Sequence, residues 1–209
     1  MKRVFLAGEG RNELGGWCDR PEYRDSTKRG VLEALLKRAV ADGWRVVDAI
    51  PWRLIRKYKV GAFRTAETRN VLGLVLRARE ADAEVVAFSR DKDSEKAEGE
   101  ERERSVRLGI EEAEAVFPNG PEIVGGMAVQ RLESWVLASA GVAGTERMHA
   151  AVDALLQERN IAPKDTSAMV EQIDRAALDR LPQDAVSLRT WLARARRALG
   201  QNDARTTKQ

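Results

Sequence analysis

The chain has 209 residues, 43% of them hydrophobic and 33% charged, which suits a globular protein with one substantial core. Its 36 basic and 33 acidic residues nearly cancel, so overall charge makes no case for nucleic acid, and any basic surface must come from local clustering. One cysteine, Cys18, excludes an internal disulfide, and one histidine, His149, excludes a two-histidine metal site within the chain.

The opening MKRVFLAG holds an apolar run too short for a signal peptide or a membrane span, so the expectation is a protein of the reducing cytoplasm. Residues 3–7 (RVFLA) read as a strand, followed by the glycine-rich turn GEGRNELG. This turn does not fit a nucleotide loop. Gly8 and Gly10 are followed by Glu13 where a dinucleotide fingerprint needs glycine, and no Gly-Lys-Ser/Thr is present. Glu9 and Glu13 would also face a pyrophosphate with the wrong charge. Either Glu9 simply faces water, or the turn presents it for some other chemistry.

Further strands are predicted at 44–50 (WRVVDAI), 83–89 (AEVVAFS) and 121–126 (PEIVGG). The first three runs are nearly continuous rather than alternating, as parallel strands buried on both faces should be. Helical periodicity separates them. Val31, Leu32, Leu35, Leu36, Ala39 and Val40 share one face; Val71, Leu74, Val75 and Ala78 share another; Val106, Ile110, Ala113 and Phe117 form a third stripe. This alternation predicts a doubly wound α/β domain with a mostly parallel sheet of about four strands. Residues 127–139 (MAVQRLESWVLAS) read as a helix, apolar almost all round. Beyond residue 140 only helical patterns remain, at 145–160, 165–178 and 184–199, punctuated by Pro163 and Pro182. The expected organisation is an α/β domain over 1–140, a helical extension over 141–200 and a disordered tail over 201–209.

Acids gather where function gathers in such a sheet, beyond the carboxyl ends of the strands. The third strand runs into FSRDKDS, carrying Asp91 and Asp93. With strand order 2-1-3, Glu9 and Asp91 would emerge from neighbouring strands about 4.8 Å apart. Like charges so close are costly alone but useful around a hard divalent cation such as Mg²⁺ or Mn²⁺. The competing reading is a solvated acidic loop. Glu133 lies on or beside the apolar stripe of 127–139, so it needs a partner, either a metal or an arginine such as Arg131. Arg90 and Lys92 could contact phosphate or only balance charge.

Following the second strand, PWRLIRKYKVGAFR carries Arg53, Arg56, Lys57, Lys59 and Arg64 with no acid, interleaved with Trp52, Tyr58 and Phe63. The cations, with Lys92, would attract a phosphate backbone and the aromatics could stack on unpaired bases. Alternatively the aromatics anchor a surface loop. A second basic segment carries Arg189, Arg194, Arg196 and Arg197, whose default reading is a solvated helical face.

GEGRNELG after the first strand, RDKDS after the third and RLESWVLA on a following helix together resemble Toprim-like proteins, over roughly residues 1–140. The closer likeness is to a small stand-alone bacterial Toprim-like family of unassigned function, and the more distant one is to overcoming-lysogenization-defect-type Toprim nucleases. The resemblance implies a Toprim/Rossmann-like fold, with Glu9 as general acid/base or metal ligand and Asp91 and Asp93 as metal ligands. Glu13 falls where those nucleases often carry a second acid, and Glu133 matches the helix glutamate of the small family. The resemblance thus implies Mg²⁺- or Mn²⁺-dependent hydrolysis of nucleic acid; topoisomerase and primase activities are disfavoured, because no tyrosine is placed as a topoisomerase nucleophile and no primase zinc motif exists. Relatives encoded beside an ATPase in phage-defence gene clusters imply an ATPase partner, and hence an alternative role as a non-catalytic metal-binding subunit. A phosphoacceptor receiver domain would need a lysine after a fifth strand, which is not evident. An oligomer is compatible with the sequence, and no membrane association is expected.

Overall fold

The computed structural model describes residues 1–58, 64–92, 97–148 and 151–200. The expected positions Lys59, Phe63, Asp93 and His149 and the tail 201–209 lie outside the described residues. Four parallel strands form the main sheet: β1 (Lys2–Gly8), β2 (Trp44–Pro51), β3 (Val85–Phe88) and β5 (Glu122–Val124), in the order β2-β1-β3-β5. Two further short strands, β4 (Arg90–Asp91) and β6 (Met127–Ala128), pair in parallel just beyond its carboxyl edge. The α/β, doubly wound, Rossmann-like class expected from the sequence is the class observed.

Strand pleating explains why the apolar runs are continuous. Successive side chains point to opposite faces, and both faces are covered. Val4, Leu6, Val85, Ala87 and Val124 point into one core layer, together with α2 (Val31–Ala39), α5 (Leu132–Ser139), α7 (Thr166–Arg175) and α8 (Val186–Gly200). Phe5, Ala7, Val86, Phe88 and Ile123 point into the other, against α3 (Ala66–Glu80) and α4 (Ala97–Val116). Val4, Phe5, Leu6 and Ala7 of β1 have no accessible surface at all.

The segment 127–139 differs from the single helix expected. Met127 and Ala128 are strand β6, Gln130 takes a positive φ of 71°, and the helix begins only at Leu132. Pairing with β4 holds the first residues extended, and an apolar run of this kind does not by itself distinguish strand from helix. Asp91 ends the ambiguity, because its Oδ1 accepts the Leu132 N–H at 3.0 Å and so satisfies one orphan donor of α5. The stretch expected as one helix over 145–160 is also divided, into a 3₁₀ turn Thr145–Arg147 and α6 (Val152–Glu158), after Gly144 at φ 76°.

The C-terminal helices join the core of the sheet. Trp191 on α8 stacks obliquely on Trp135, 5.7 Å between rings, and its indole N–H donates to the Phe88 carbonyl at 2.9 Å. Lys2 at the start of β1 donates to the Ala198 carbonyl at 2.6 Å. Trp191 is 1% exposed, so Trp191→Ala should remove about 3–5 kcal/mol of stability through lost burial and the cavity left behind. Urea denaturation followed by far-UV circular dichroism should show one shifted transition; two separate transitions would mean that the C-terminal helices unfold independently.

Candidate metal and nucleic-acid site

The parallel strands end in register, Gly8 opposite Pro51 and Ala7 opposite Phe88. Each next residue therefore projects beyond the same edge: Glu9 after β1, Trp52 after β2, and Ser89 to Asp91 after β3. Glu9 and Asp91 are brought together there. Oε1 of Glu9 accepts the Asp91 N–H at 3.1 Å and a hydrogen bond from the Arg90 guanidinium.

Arg90 is the centre of a wider network. Its side chain is only 13% exposed. Besides Glu9, it donates from Nη2 and Nε to Oε1 of Glu67, at 3.1 and 3.3 Å, and its guanidinium lies 5.8 Å from the Trp52 ring centroid. Glu67, in the first turn of α3, is fixed from its other oxygen by the Trp52 indole N–H at 2.9 Å. Arg102 on α4 approaches Glu67 at 3.8 Å and donates to the carbonyls of Asp91 and Lys92, both at 3.2 Å. Glu9, Arg90 and Asp91 stand in the motifs and Trp52 in the basic segment, whereas Glu67 and Arg102 carry no sequence signal that distinguishes them from other helix-surface charges.

Glu13 and Glu133 form a second acidic pair behind the turn. Glu13 opens the short helix α1 (Arg11–Leu14) from its third position, folding back so that Oε2 accepts the Gly10 N–H at 2.8 Å. This is the acid half of a capping box. Gly8 makes it fit, since a Cβ at Gly8 would lie 2.4 Å from Cβ of Glu13. Glu13 is 5% exposed, and burial raises its pKa above the ordinary value, opposed by backbone hydrogen bonds at Glu13 and Gly10 and reinforced by the charge of Glu133. Glu133 accepts the Asn12 amide at 3.0 Å, with Arg131 at 3.8 Å. Arg131 bonds more closely to Asp153. Asn12 also accepts the Thr166 hydroxyl at 3.0 Å, which ties the turn to α7.

The basic positions separate into two groups. Arg53, Arg56 and Lys57 are exposed beside the sheet edge, in and after a 3₁₀ turn Trp52–Leu54. Arg64 is paired with Glu112 on α4, and Lys92 with Glu103 at 2.8 Å. The aromatics are anchors. Trp52 is 5% exposed and packs on Phe88 with 5.4 Å between rings, and Tyr58 meets Phe117 edge-on at 6.1 Å. Buried against the core, the Trp52 ring is not a stacking platform for bases. Arg56 and Lys57 instead border a 470 Å³ pocket with Leu54, Tyr58 and Arg77.

Mg²⁺ keeps several waters and is commonly held by one or two carboxylates plus substrate phosphates. Glu9 and Asp91 fit that requirement in kind, as hard oxygen donors on residues joined through the Asp91 N–H, with Oδ1 of Asp91 engaged at the start of α5. Oε2 of Glu9 takes no part in the bonds to Arg90 and Asp91, and the side chain is 33% exposed. Among the described residues no three acids, histidines or cysteines converge closely enough to cage an ion by themselves. Among those residues, too, no helix is long and apolar enough to cross a membrane. No protein-family model, curated protein or solved structure matches this chain.

The raised pKa of Glu13 has a measurable signature. The native fold favours the protonated form, so the associated stability is full below pH 4.5, the ordinary value, and is lost as pH rises through the higher folded-state value. Glu13→Gln keeps an acceptor for Gly10 without the charge. Relative to wild type it should gain stability as pH rises from 4 to 7, and urea denaturation at the two pH values checks this. A difference that does not change with pH would show that the fold leaves Glu13 ionisation unperturbed.

Proposed function

We propose that this protein is a Mg²⁺- or Mn²⁺-dependent phosphodiesterase acting on nucleic acid, of the Toprim nuclease type. The observation that carries the reading is the meeting of Glu9 and Asp91 at the carboxyl edge of adjacent parallel strands, where ligands bind in open α/β sheets. The resemblance of GEGRNELG, RDKDS and RLESWVLA to Toprim-like proteins supports it independently. Glu9 and Asp91 would hold the ion, with Asp93 next in the motif. Bound there, it would polarise a phosphate oxygen and offset the charge that develops at phosphorus.

The chain's own groups have distinct tasks in this scheme. Glu9 is fixed through Oε1 by Arg90 and the Asp91 N–H, which leaves Oε2 to accept a proton from the attacking water. Asp91 is oriented by the Leu132 N–H, so its carboxylate and the start of α5 hold each other. Arg53, Arg56 and Lys57 are exposed in and after the turn that follows β2 and would attract the phosphate backbone.

A second reading is favoured by the Glu9–Arg90 ion pair, which already compensates Glu9 without any metal. In that reading the chain is a non-catalytic subunit of an ATPase-containing complex, and the acidic edge is an interaction surface. Nicking of supercoiled plasmid separates the two. The nuclease reading expects cleavage that requires Mg²⁺ or Mn²⁺ and falls at least about 100-fold in Glu9→Gln and Asp91→Asn proteins of unchanged melting temperature. Equal activity in wild type and variants, or none in any of them, sinks it. Replacing Arg53, Arg56 and Lys57 together by alanine should weaken nucleic-acid binding uniformly across sequences. The slope of log affinity against log salt should become shallower by about 3. An unchanged slope would place the phosphate contacts elsewhere.

A further inference from the structure

We propose that Arg90 is the site's resident cation, a positioning residue that shares Glu9 with an incoming divalent ion and, by its presence, limits the site to one ion per chain. This rests on the reading of Glu9 and Asp91 as metal ligands. A guanidinium stays protonated at any working pH, so the charge of Arg90 is permanent. At 13% exposure it cannot be left without a carboxylate, since a buried unpaired charge is costly. Glu67 is the second carboxylate that makes exchange feasible. It bonds to two nitrogens of Arg90 while Glu9 bonds to the third, and it is itself immobilised by the Trp52 indole and Arg102.

The Trp52 ring, 5.8 Å from the guanidinium, covers one side of Arg90 and keeps it beside the two acids. Arg90 is thereby held by Glu67 whether or not Glu9 turns toward a metal. Charge points the same way. Arg90 adds a permanent positive charge among the carboxylates of Glu9, Glu67 and Asp91. A second divalent ion would meet the fixed guanidinium at short range, where repulsion is strong even with generous screening.

The test is Mn²⁺ binding to the full chain, read by electron paramagnetic resonance of the free ion and by calorimetry, with melting temperature and circular dichroism recorded for each protein. Wild type should bind one ion. Arg90→Gln should bind Mn²⁺ about tenfold more tightly, because a nearby positive charge is gone. Glu67→Gln should bind it about threefold or more weakly, because Arg90 then leans more heavily on Glu9. Arg90→Lys, which keeps the charge, should stay within about threefold of wild type. A merely structural Arg90 would make Arg90→Gln bind more weakly. That result, or two ions on wild type, overturns the proposal while the metal reading stands. Should Arg90→Gln lose its fold, weaker binding by Glu67→Gln supports the proposal and tighter or unchanged binding overturns it. Absence of Mn²⁺ binding in all four proteins overturns the metal reading and this proposal with it. Binding by Arg90→Gln alone overturns the sharing proposed here, because Arg90 would then exclude the ion from the wild type, while the metal reading of Glu9 and Asp91 stands.

Discussion

The pairing of β1 between β2 and β3 is the constraint on which the rest depends. Four consecutive side chains, Val4 to Ala7, are inaccessible to solvent, and each alternates into one of two separate core layers. A slip of one residue would exchange the layers and fit neither. The strand can therefore end in only one place, and Glu9 inherits that position. The same holds for Asp91, which follows β3 and is further secured by β6 and by the first N–H of α5. Precision at the edge comes from packing many residues away from it.

Charge around this edge is arranged in depth. At the front, Glu9 and Asp91 reach solvent, with Arg90 and Glu67 behind them and Arg102 clasping the carbonyls that follow. Glu13 and Glu133 occupy a drier layer on the other side of the turn. The glycines of the opening motif divide their work accordingly. Gly8 is required by the side chain of Glu13, whereas Gly10 supplies the N–H that Glu13 accepts, and a Cβ there would make only an ordinary contact with Oε2 of Glu13 at 3.9 Å. The turn is thus built as much around its buried acid as around its exposed one.

Much of the fold could be read from the sequence because parallel strands covered on both faces leave unbroken apolar runs, and RVFLA and AEVVAFS are of that kind. The placement of Glu9 beside Asp91 followed from strand order alone. The segment from Met127 to Ser139 could not be divided the same way, since the positive φ of Gln130 and the pairing of Met127 with Arg90 are tertiary facts. Trp52 illustrates a different limit. Basic residues interleaved with aromatics describe a nucleic-acid loop and a core anchor equally well, and only the contact with Phe88 decides for the anchor. Glu67 and Arg102 were invisible for a similar reason: each is one charge among many on a helix until Arg90 is seen between the elements.

Asn12 gives the molecule an unusual continuity. One amide donates to Glu133 on α5 and accepts from Thr166 on α7, so a residue of the first turn bridges two helices far along the chain. The edge that carries the acids and the helices that close the opposite face are therefore mechanically one piece. Strain applied at α7 thus has a direct route through the Asn12 side chain to the base of the Glu9 turn, without passing through the sheet.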